Sequence, residues 1–387
     1  FMPDDIILRA FKEENTRQYL SRKERDKENH FILTFSAKAD TLPTLKGLNF
    51  DEKDAFVIEA NEGNDSICYW VKDSLVYQMD TLAIQVDYLY TDTLDQLVPK
   101  TDTLYLANKL TREQRDKLKK QEEEKKEKER KKREKKGEAP KPEPTLFLKM
   151  NVDAPSAFDI NRNVVLSFDE PLARIDTSSI HVSVKEDTLW VEKPFILVAD
   201  SVIPRRYEIL ADWQPDREYQ LKIDSTAITG LYGLHTDKVD QSFKVKKLDE
   251  YGTLFFNIRG VNQPAIVELL DAAGKVIRQQ RVTPEGTADF YYLAPNTKYY
   301  VRMFMDRNGN GKWDTGNVEK RMQPEEVYYL PKSWEMKANF DFEETWDIHS
   351  TPVDKQKLDE IKKQKPEEVK KVQERNKERA KKLGRTS

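Results

Sequence analysis

The feature that most constrains this chain is a two-residue beat. Apolar and polar residues alternate in "HFILTFSA", "TLAIQVDYLYTD", "DTLYLAN", "NVVLSFDEP", "YEILADW", "YQLKIDS", "QSFKVKK", "TLFFNIRG", "AIVELLD" and "YYVRMFMD". Successive strand side chains point to opposite faces, so this beat suits half-buried strands and not helices. The runs are short and bounded by Asp, Asn, Gly and Pro at intervals of about eight to twelve residues, a spacing that predicts β-sandwiches. The expected fold class is all-β. The polar stretch Glu13–Asn29 is the exception and reads as a helical turn or loop.

Two segments break the beat by composition. Residues 111–144 hold "TREQRDKLKKQEEEKKEKERKKREKKGEAPKPEP", with Leu118 as the only large apolar side chain. Glu and Lys at helical spacings predict an exposed helix or a disordered charged linker, and "APKPEP" is expected to be extended. Residues 349–387 form a second charged segment, read as a solvated tail that turns helical after Pro366. Neither carries enough apolar surface to fold alone.

The remaining chain divides into three modules: 1–110, 145–247 and 248–348. The first two echo each other. Each has a strand ending in Phe (Phe35, Phe168) and a later alternating strand (Leu82, Ile84, Val86; Tyr219, Leu221, Ile223). Each closes with a further strand (Leu104, Leu106; Phe243, Val245). An echo at domain length predicts tandem copies of one module. The first copy's opening strand is expected within "DDIILRAF" (Asp4–Phe11). The third module has roughly seven strands in about a hundred residues, enough for one sandwich.

Composition excludes several function classes. The net charge of −3 argues against a dedicated nucleic-acid binder. A single cysteine, Cys68, forbids an internal disulfide framework and a cysteine zinc site, and its strand context predicts a buried, inert thiol. The chain opens at Phe1 with no leader and no long apolar run, so it reads as the downstream part of a longer protein. No nucleophile elbow, P-loop, dinucleotide fingerprint or zincin helix occurs, so no enzyme is expected. Glu170, in "FDEP", is read as closing a strand edge.

One stretch carries candidate chemistry: "MFMDRNGNGKWDTGN", Met303–Asn317. A calcium loop needs oxygens at positions one, three, five, seven, nine and twelve, with Gly at six. Asp306, Asn308, Asn310, the Lys312 carbonyl and Asp314 meet the first five requirements, and Gly311 meets the sixth. Asn317 stands where the bidentate Glu belongs, and Glu319 comes two residues late. The alternative is a structured hairpin loop whose Asn and Gly residues adopt positive φ and whose side chains bond their own backbone, with Trp313 as a core or edge anchor. A calcium ion here would stiffen the loop; no cofactor is otherwise required. Aromatic clusters such as "FYYL" invite a glycan-binding reading. Core packing is the expectation for Phe290, Tyr292, Tyr299 and Val301.

Val164–Pro171 ("V-x-L-x-F-x-E-P") and Tyr219–Gly233 ("Y-x-L-x-I-x-x-x-A-I-x-x-x-x-G") resemble bacterial Ig-like domains of the S-layer SbsA type. "LAPNTKYYVRMFMDRNGNGKWD" resembles prealbumin-like or carboxypeptidase-regulatory-like sandwiches. The whole layout is similar to Ig-like-domain lipoproteins of Bacteroidota. That resemblance implies tandem Ig-like sandwiches followed by a prealbumin-like one. It also implies a non-catalytic cell-envelope protein, anchored at the outer membrane by an N-terminal lipid outside this chain. Other envelope or outer-membrane proteins are the implied partners, with glycans as the alternative.

Overall fold

The computed structural model describes residues 10–109 and 146–362, scattered positions between 114 and 128, and position 379. The described positions between 114 and 128 are helical and exposed. The expected extended stretch Ala139–Pro144 lies outside the described residues, as do most of Asp4–Phe11 and the expected helix after Pro366 except Arg379, which is helical and exposed. The described residues fall into two compact units, one built from 14–245 and the other from 10–13 with 246 onward.

The first unit holds two sandwiches with separate cores. In the first, β1 (Leu20–Lys27), β2 (His30–Phe35), β3 (Thr44–Gly47), β4 (Phe56–Ala60), β5 (Ser66–Val71), β6 (Thr81–Thr91) and β7 (Leu97–Ala107) form two sheets, ordered β1-β2-β5-β4 and β3-β6-β7. Their inner faces bury Phe31, Leu33, Phe35, Tyr69, Leu82, Ile84 and Val86, the residues that the two-residue beat marks. Pro99 sits on β7, the outermost strand of its sheet, where a missing N–H costs no ladder bond.

The second sandwich repeats this plan. Its strands are β8 (Met150–Asp153), β9 (Ala157–Phe158), β10 (Val164–Phe168), β11 (Leu172–Ile175), β12 (Ile180–Glu186), β13 (Leu189–Lys193), β14 (Phe195–Ala199), β15 (Arg206–Ala211), β16 (Glu218–Ile223), β17 (Ile228–Gly230) and β18 (Val239–Val245). One sheet runs β14-β15-β10-β8 and the other β13-β12-β16-β18-β9. The order β8-β10-β15-β14 superposes in sequence rank on β1-β2-β5-β4, and β12-β16-β18 on β3-β6-β7. The second copy adds a strand at each edge of the latter sheet and a small β11-β17 ribbon. Phe168, Tyr219, Leu221, Ile223, Phe243 and Val245 fill its core, as their counterparts fill the first.

The stretch Glu13–Asn29 corrects the sequence reading. Its second half is strand β1, paired antiparallel with β2. β1 lies at a sheet edge and its one buried residue is Arg25, so no apolar alternation announces it. The Arg25 guanidinium donates to the Leu106 carbonyl at 3.0 Å and the Tyr77 carbonyl at 2.8 Å, reaching β7 in the opposite sheet. Among the described residues the first strand of this copy is β1; Ala10 and Phe11 are not in a strand, and Asp4–Arg9 lie outside the described residues.

The other unit is a third sandwich, of β19 (Gly252–Arg259), β20 (Ala265–Leu270), β21 (Val276–Arg281), β22 (Thr287–Leu293), β23 (Lys298–Met305), β24 (Val327–Glu335) and β25 (Phe340–Asp347). Its sheets run β22-β19-β25 and β21-β20-β23-β24, and β19 pairs in parallel with β25. Every residue of β20 is buried. Its outer face is covered by residues 353–361, where Ile361 packs on Leu270 and Tyr300. The buried Gln356 accepts from Tyr329 N at 3.0 Å and donates to the Ile348 and Thr351 carbonyls. Residues 349–362, read from sequence as the start of a solvated tail, are thus docked on this sheet. Tyr292 also departs from expectation. A bulge between Gly252 and Leu254 sets Tyr291 and Tyr292 opposite a single residue, gives Tyr292 a φ of 57°, and turns it outward, whereas Phe290, Tyr299 and Val301 are buried.

Candidate functional site

Two polar clusters stand out, one in each unit. The first is a joint between the two sandwiches of residues 14–245. The turn-rich loop after β17 carries Tyr232, whose hydroxyl lies 2.9 Å from the Asn29 carbonyl and 3.1 Å from the Val71 carbonyl in the first sandwich. Its ring meets Tyr77 edge-on at 5.5 Å and Trp70 at 6.5 Å. Arg205 comes from the second sandwich. Its guanidinium sits 5.1 Å over the Trp70 ring, and Nη1 donates to the Asp169 carbonyl at 2.9 Å. Its Nε lies 3.2 Å from Glu59 Oε2, off-line for a hydrogen bond, so that contact is an ion pair. Trp70 Nε1 donates to the same Glu59 oxygen at 2.8 Å.

This cluster shifts its titratable neighbours. His30, its ring tilted against Trp70 at 4.4 Å, is pushed down to about 4 by burial and by the charges of Lys27 and Arg205. Cys68 is half-buried and not fully buried as expected; its partial burial, with Glu59 nearby, pushes the thiol up to about 12, which favours the protonated form. Glu170 is held above the ordinary carboxylate range by burial, although Tyr232 N donates to it at 3.3 Å. It closes the strand end against Gly230, whose missing Cβ leaves the room. Glu170 thus fills a structural place between strand ends, with Asp169 as its acidic neighbour.

The second cluster is the loop joining β23 to β24, residues 306–326. It is well beyond the ~12–15 residues of an ordinary structureless connection, a length that marks functional loops. Asp306 is completely buried at its start. Its Oδ2 accepts from Gly311 N at 3.1 Å and lies 3.3 Å from Arg281 Nη2. Its Oδ1 is buried and has no hydrogen-bond partner. Asn308 Oδ1 accepts from Asn310 N at 3.1 Å, and Asn310 Oδ1 from Lys312 N at 2.7 Å. Asp314 Oδ2 accepts from the Asn308 and Asn310 amides at 2.6 and 2.9 Å. Gly311 holds a φ of 76° with open space around it, a left-handed turn that a side chain would strain. The loop therefore brings the Asn308, Asn310 and Asp314 side chains together and ties Asp306 to it through the Gly311 N–H.

Asn317 is not part of this gathering. Its backbone pairs with Met322, and its side chain accepts from Lys320 N at 2.7 Å. Glu319 is exposed. The residue that sequence reasoning missed is Glu325, buried on the returning limb of the loop. Its two carboxylate oxygens accept from Arg307 N at 2.8 Å and Asp314 N at 3.0 Å, clamping the loop at both ends. Trp313 is an edge anchor: its ring is partly exposed and its Nε1 donates to the Glu325 carbonyl at 3.0 Å. Among the described residues no three His, Cys, Asp or Glu side chains converge in metal-holding geometry, so an ion here would depend on amide and carbonyl oxygens as well.

The outer limb of the loop also receives residues 10–13. Thr315 Oγ1 donates to the Lys12 carbonyl at 2.8 Å, and Val318 N donates to the Glu13 carboxylate at 2.5 Å. Phe11 lies so close to Gly316 that a Cβ there would fall 2.6 Å from the ring.

The glycan reading needs flat, coplanar aromatic rings. The exposed Tyr291 and Tyr292 are tilted by 48°, and Phe255 meets Tyr291 at 80°, so they form no platform. The concavities are shallow. One of about 340 Å³ is lined by Gln18, Asn64, Asp87, Tyr88 and Lys100, without a histidine or cysteine.

No protein-family model matches the chain, and no curated protein matches it. Among solved structures it is similar to the Bacillus anthracis TIE protein, at 11% identity and a TM-score of 0.18, over 87% of this chain and 58% of that one. It is similar to titin domains A168–A170, at 8% identity and a TM-score of 0.17, over 84% and 97% of the two chains. It is also similar to chicken CNTN1 FN1–FN3 domains, at 15% identity and a TM-score of 0.15, over 74% and 92%. At these scores the likenesses carry no argument about activity. The tandem β-sandwich architecture is read from the sheets themselves.

Proposed function

We propose that the chain is a non-catalytic scaffold of the cell envelope, holding β-sandwich modules in a set geometry and presenting their surfaces to other envelope or outer-membrane proteins. The observation that carries this reading is the Tyr232–Arg205–Trp70 joint. An aromatic, a cation and two backbone carbonyls link consecutive sandwiches, so their relative orientation is held by directional contacts and not by a bare linker. The perturbed groups around it serve that joint and find no reacting partner. The outermost strands β13 and β14 expose Leu189, Ile196 and Val198, apolar surface of the kind that marks protein contacts. The envelope setting, and attachment through an N-terminal lipid outside this chain, rest on the resemblance of the motifs to Bacteroidota Ig-like lipoproteins. A net charge of −3 gives no basis for nucleic-acid binding.

The test is affinity capture from the native envelope in mild detergent, with the lipidated full-length protein as bait. A defined protein partner is expected, and its recovery should fall when Tyr232→Ala and Arg205→Ala loosen the joint. Capture of nothing above a control bait, or turnover of a substrate by the purified chain, would overturn the scaffold reading.

A further inference from the structure

The geometry points to the 306–314 loop as a calcium site whose occupancy fixes the surface on which residues 10–13 dock. Three observations on different atoms converge. The first is the unpartnered oxygen. A fully buried carboxylate oxygen without a donor is expensive, and native proteins meet that cost with a proton, a hydrogen bond or an ion. Asp306 Oδ1 has no donor, while Oδ2 of the same carboxylate is held by the Gly311 N–H. The loop is thus closed over the carboxylate, with one oxygen left unused.

The second observation is the kind of atoms that the same loop carries. Asn308 and Asn310 each present an amide oxygen that uses one lone pair on a loop N–H and keeps the other. Asp314 brings a carboxylate to the same two side chains. With the Lys312 carbonyl, this is an all-oxygen set of hard ligands, which suits calcium and offers nothing to zinc or copper. The set is incomplete by protein atoms alone, so water fills the remaining positions. Arg281 shares the Asp306 carboxylate, and Glu325 is committed to the Arg307 and Asp314 N–H groups. Both facts reduce the charge offered to an ion. The affinity then falls in the weak class of extracellular modules, about 10⁻⁴–10⁻³ M.

The third observation is what the loop carries. Thr315 and Val318, immediately after the ligand run, hold the Lys12 carbonyl and the Glu13 carboxylate. An ion that fixes Asp314 fixes the start of this limb. Occupancy and docking of residues 10–13 are then coupled, and each strengthens the other by the same factor.

Terbium is the probe for the site, because the Trp313 indole lies between two ligand residues and sensitises its emission. Indole-excited terbium emission is expected from the full chain, displaced by calcium at roughly 0.1–1 mM. Asp306→Asn and Asp314→Asn should each weaken it at least tenfold. Asp314 is only half-buried, so its variant keeps the test valid if Asp306→Asn fails to fold. In parallel, 10 mM calcium should raise the melting temperature of the third sandwich by about 3–10 °C, and magnesium by much less. Amide exchange at residues 11–13 should slow with calcium in the native chain and not in Asp314→Asn. Emission unchanged in both variants, no thermal shift, or an equal shift with magnesium would overturn the site. Calcium binding without any change in exchange at residues 11–13 would overturn the coupling.

Discussion

The joint at Tyr232 and the loop at Asp306 are both polar clusters at the ends of β-sandwiches, and both are rich in charge and backbone contacts. They differ in what is left over. At the joint the Glu59 oxygen facing the second sandwich receives the Trp70 indole and the Arg205 charge, and the Tyr232 hydroxyl lies within reach of two carbonyls. At the loop a fully buried carboxylate keeps one oxygen without a donor. The buried Arg205 Nε at the joint also lacks a hydrogen-bond partner but faces the counter-charge of Glu59, whereas Asp306 Oδ1 is an acceptor with no donor, which invites a ligand. Electrostatic perturbation alone ranks them the other way, since the shifted pKa values gather at the joint.

Substitutions can break this contrast, and the largest effect is expected at the joint. Trp70→Ala removes a buried indole that touches His30, Arg205 and Tyr232, and should cost about 3–5 kcal/mol in chemical denaturation. Calcium should not alter that cost. A smaller effect is expected at the loop. Gly311→Ala meets no steric neighbour, so its cost is the left-handed backbone alone, about 1–2 kcal/mol. That cost should grow in calcium, because the strained loop also loses the ion; equal losses with and without calcium would break the distinction. Smaller again is Tyr232→Phe. Removing the hydroxyl takes away the O–H donor within reach of the Asn29 and Val71 carbonyls, for about 1 kcal/mol, and should change the orientation of the first two sandwiches measured by small-angle scattering or spin-label distances.

The gentlest probe is pH. The folded His30 titrates near 4 and the unfolded imidazole near its ordinary 6.5. Between those values the unfolded chain binds a proton that the folded one does not. Stability therefore rises with pH across this window and is lost as pH falls through it. Glu170 acts in the opposite sense, because a raised carboxylate keeps its proton when folded and loses that advantage as pH rises. The clean measurement is the difference between the native chain and His30→Gln: the variant's midpoint should vary less with pH between about 6.5 and 4. Identical pH profiles would show that the imidazole is not desolvated at the joint.

Much of the fold was legible because burial and alternation coincide. Leu82, Ile84 and Val86 alternate and face one core, and Tyr219, Leu221 and Ile223 repeat that pattern at the corresponding place in the second. Strand β1 was illegible for the converse reason: it buries an arginine and exposes almost everything else. Tyr292 shows that a beat predicts a face only while the register holds, and one bulge reverses it. At the loop, sequence spacing finds the ligand run as far as Asp314 and stops there. Glu325 lies eleven positions further on and arrives through the chain's return, which no local motif encodes. Its trace in the sequence is "PEEV" at the entrance to β24, an acid where the chain turns back into the sheet. The docking of residues 349–362 was hidden in the same way, since Leu358 and Ile361 pack on the sheet but, with Val353, are few apolar residues in a charged run.

The clasp between residues 12–13 and 315–318 spans more than three hundred positions of chain. Translation delivers about 5–20 residues per second, so the early half of that clasp is made tens of seconds before the late half exists. Throughout that interval Phe11 has no Gly316 to lie against. The third sandwich is thus completed by a piece of polypeptide older than itself.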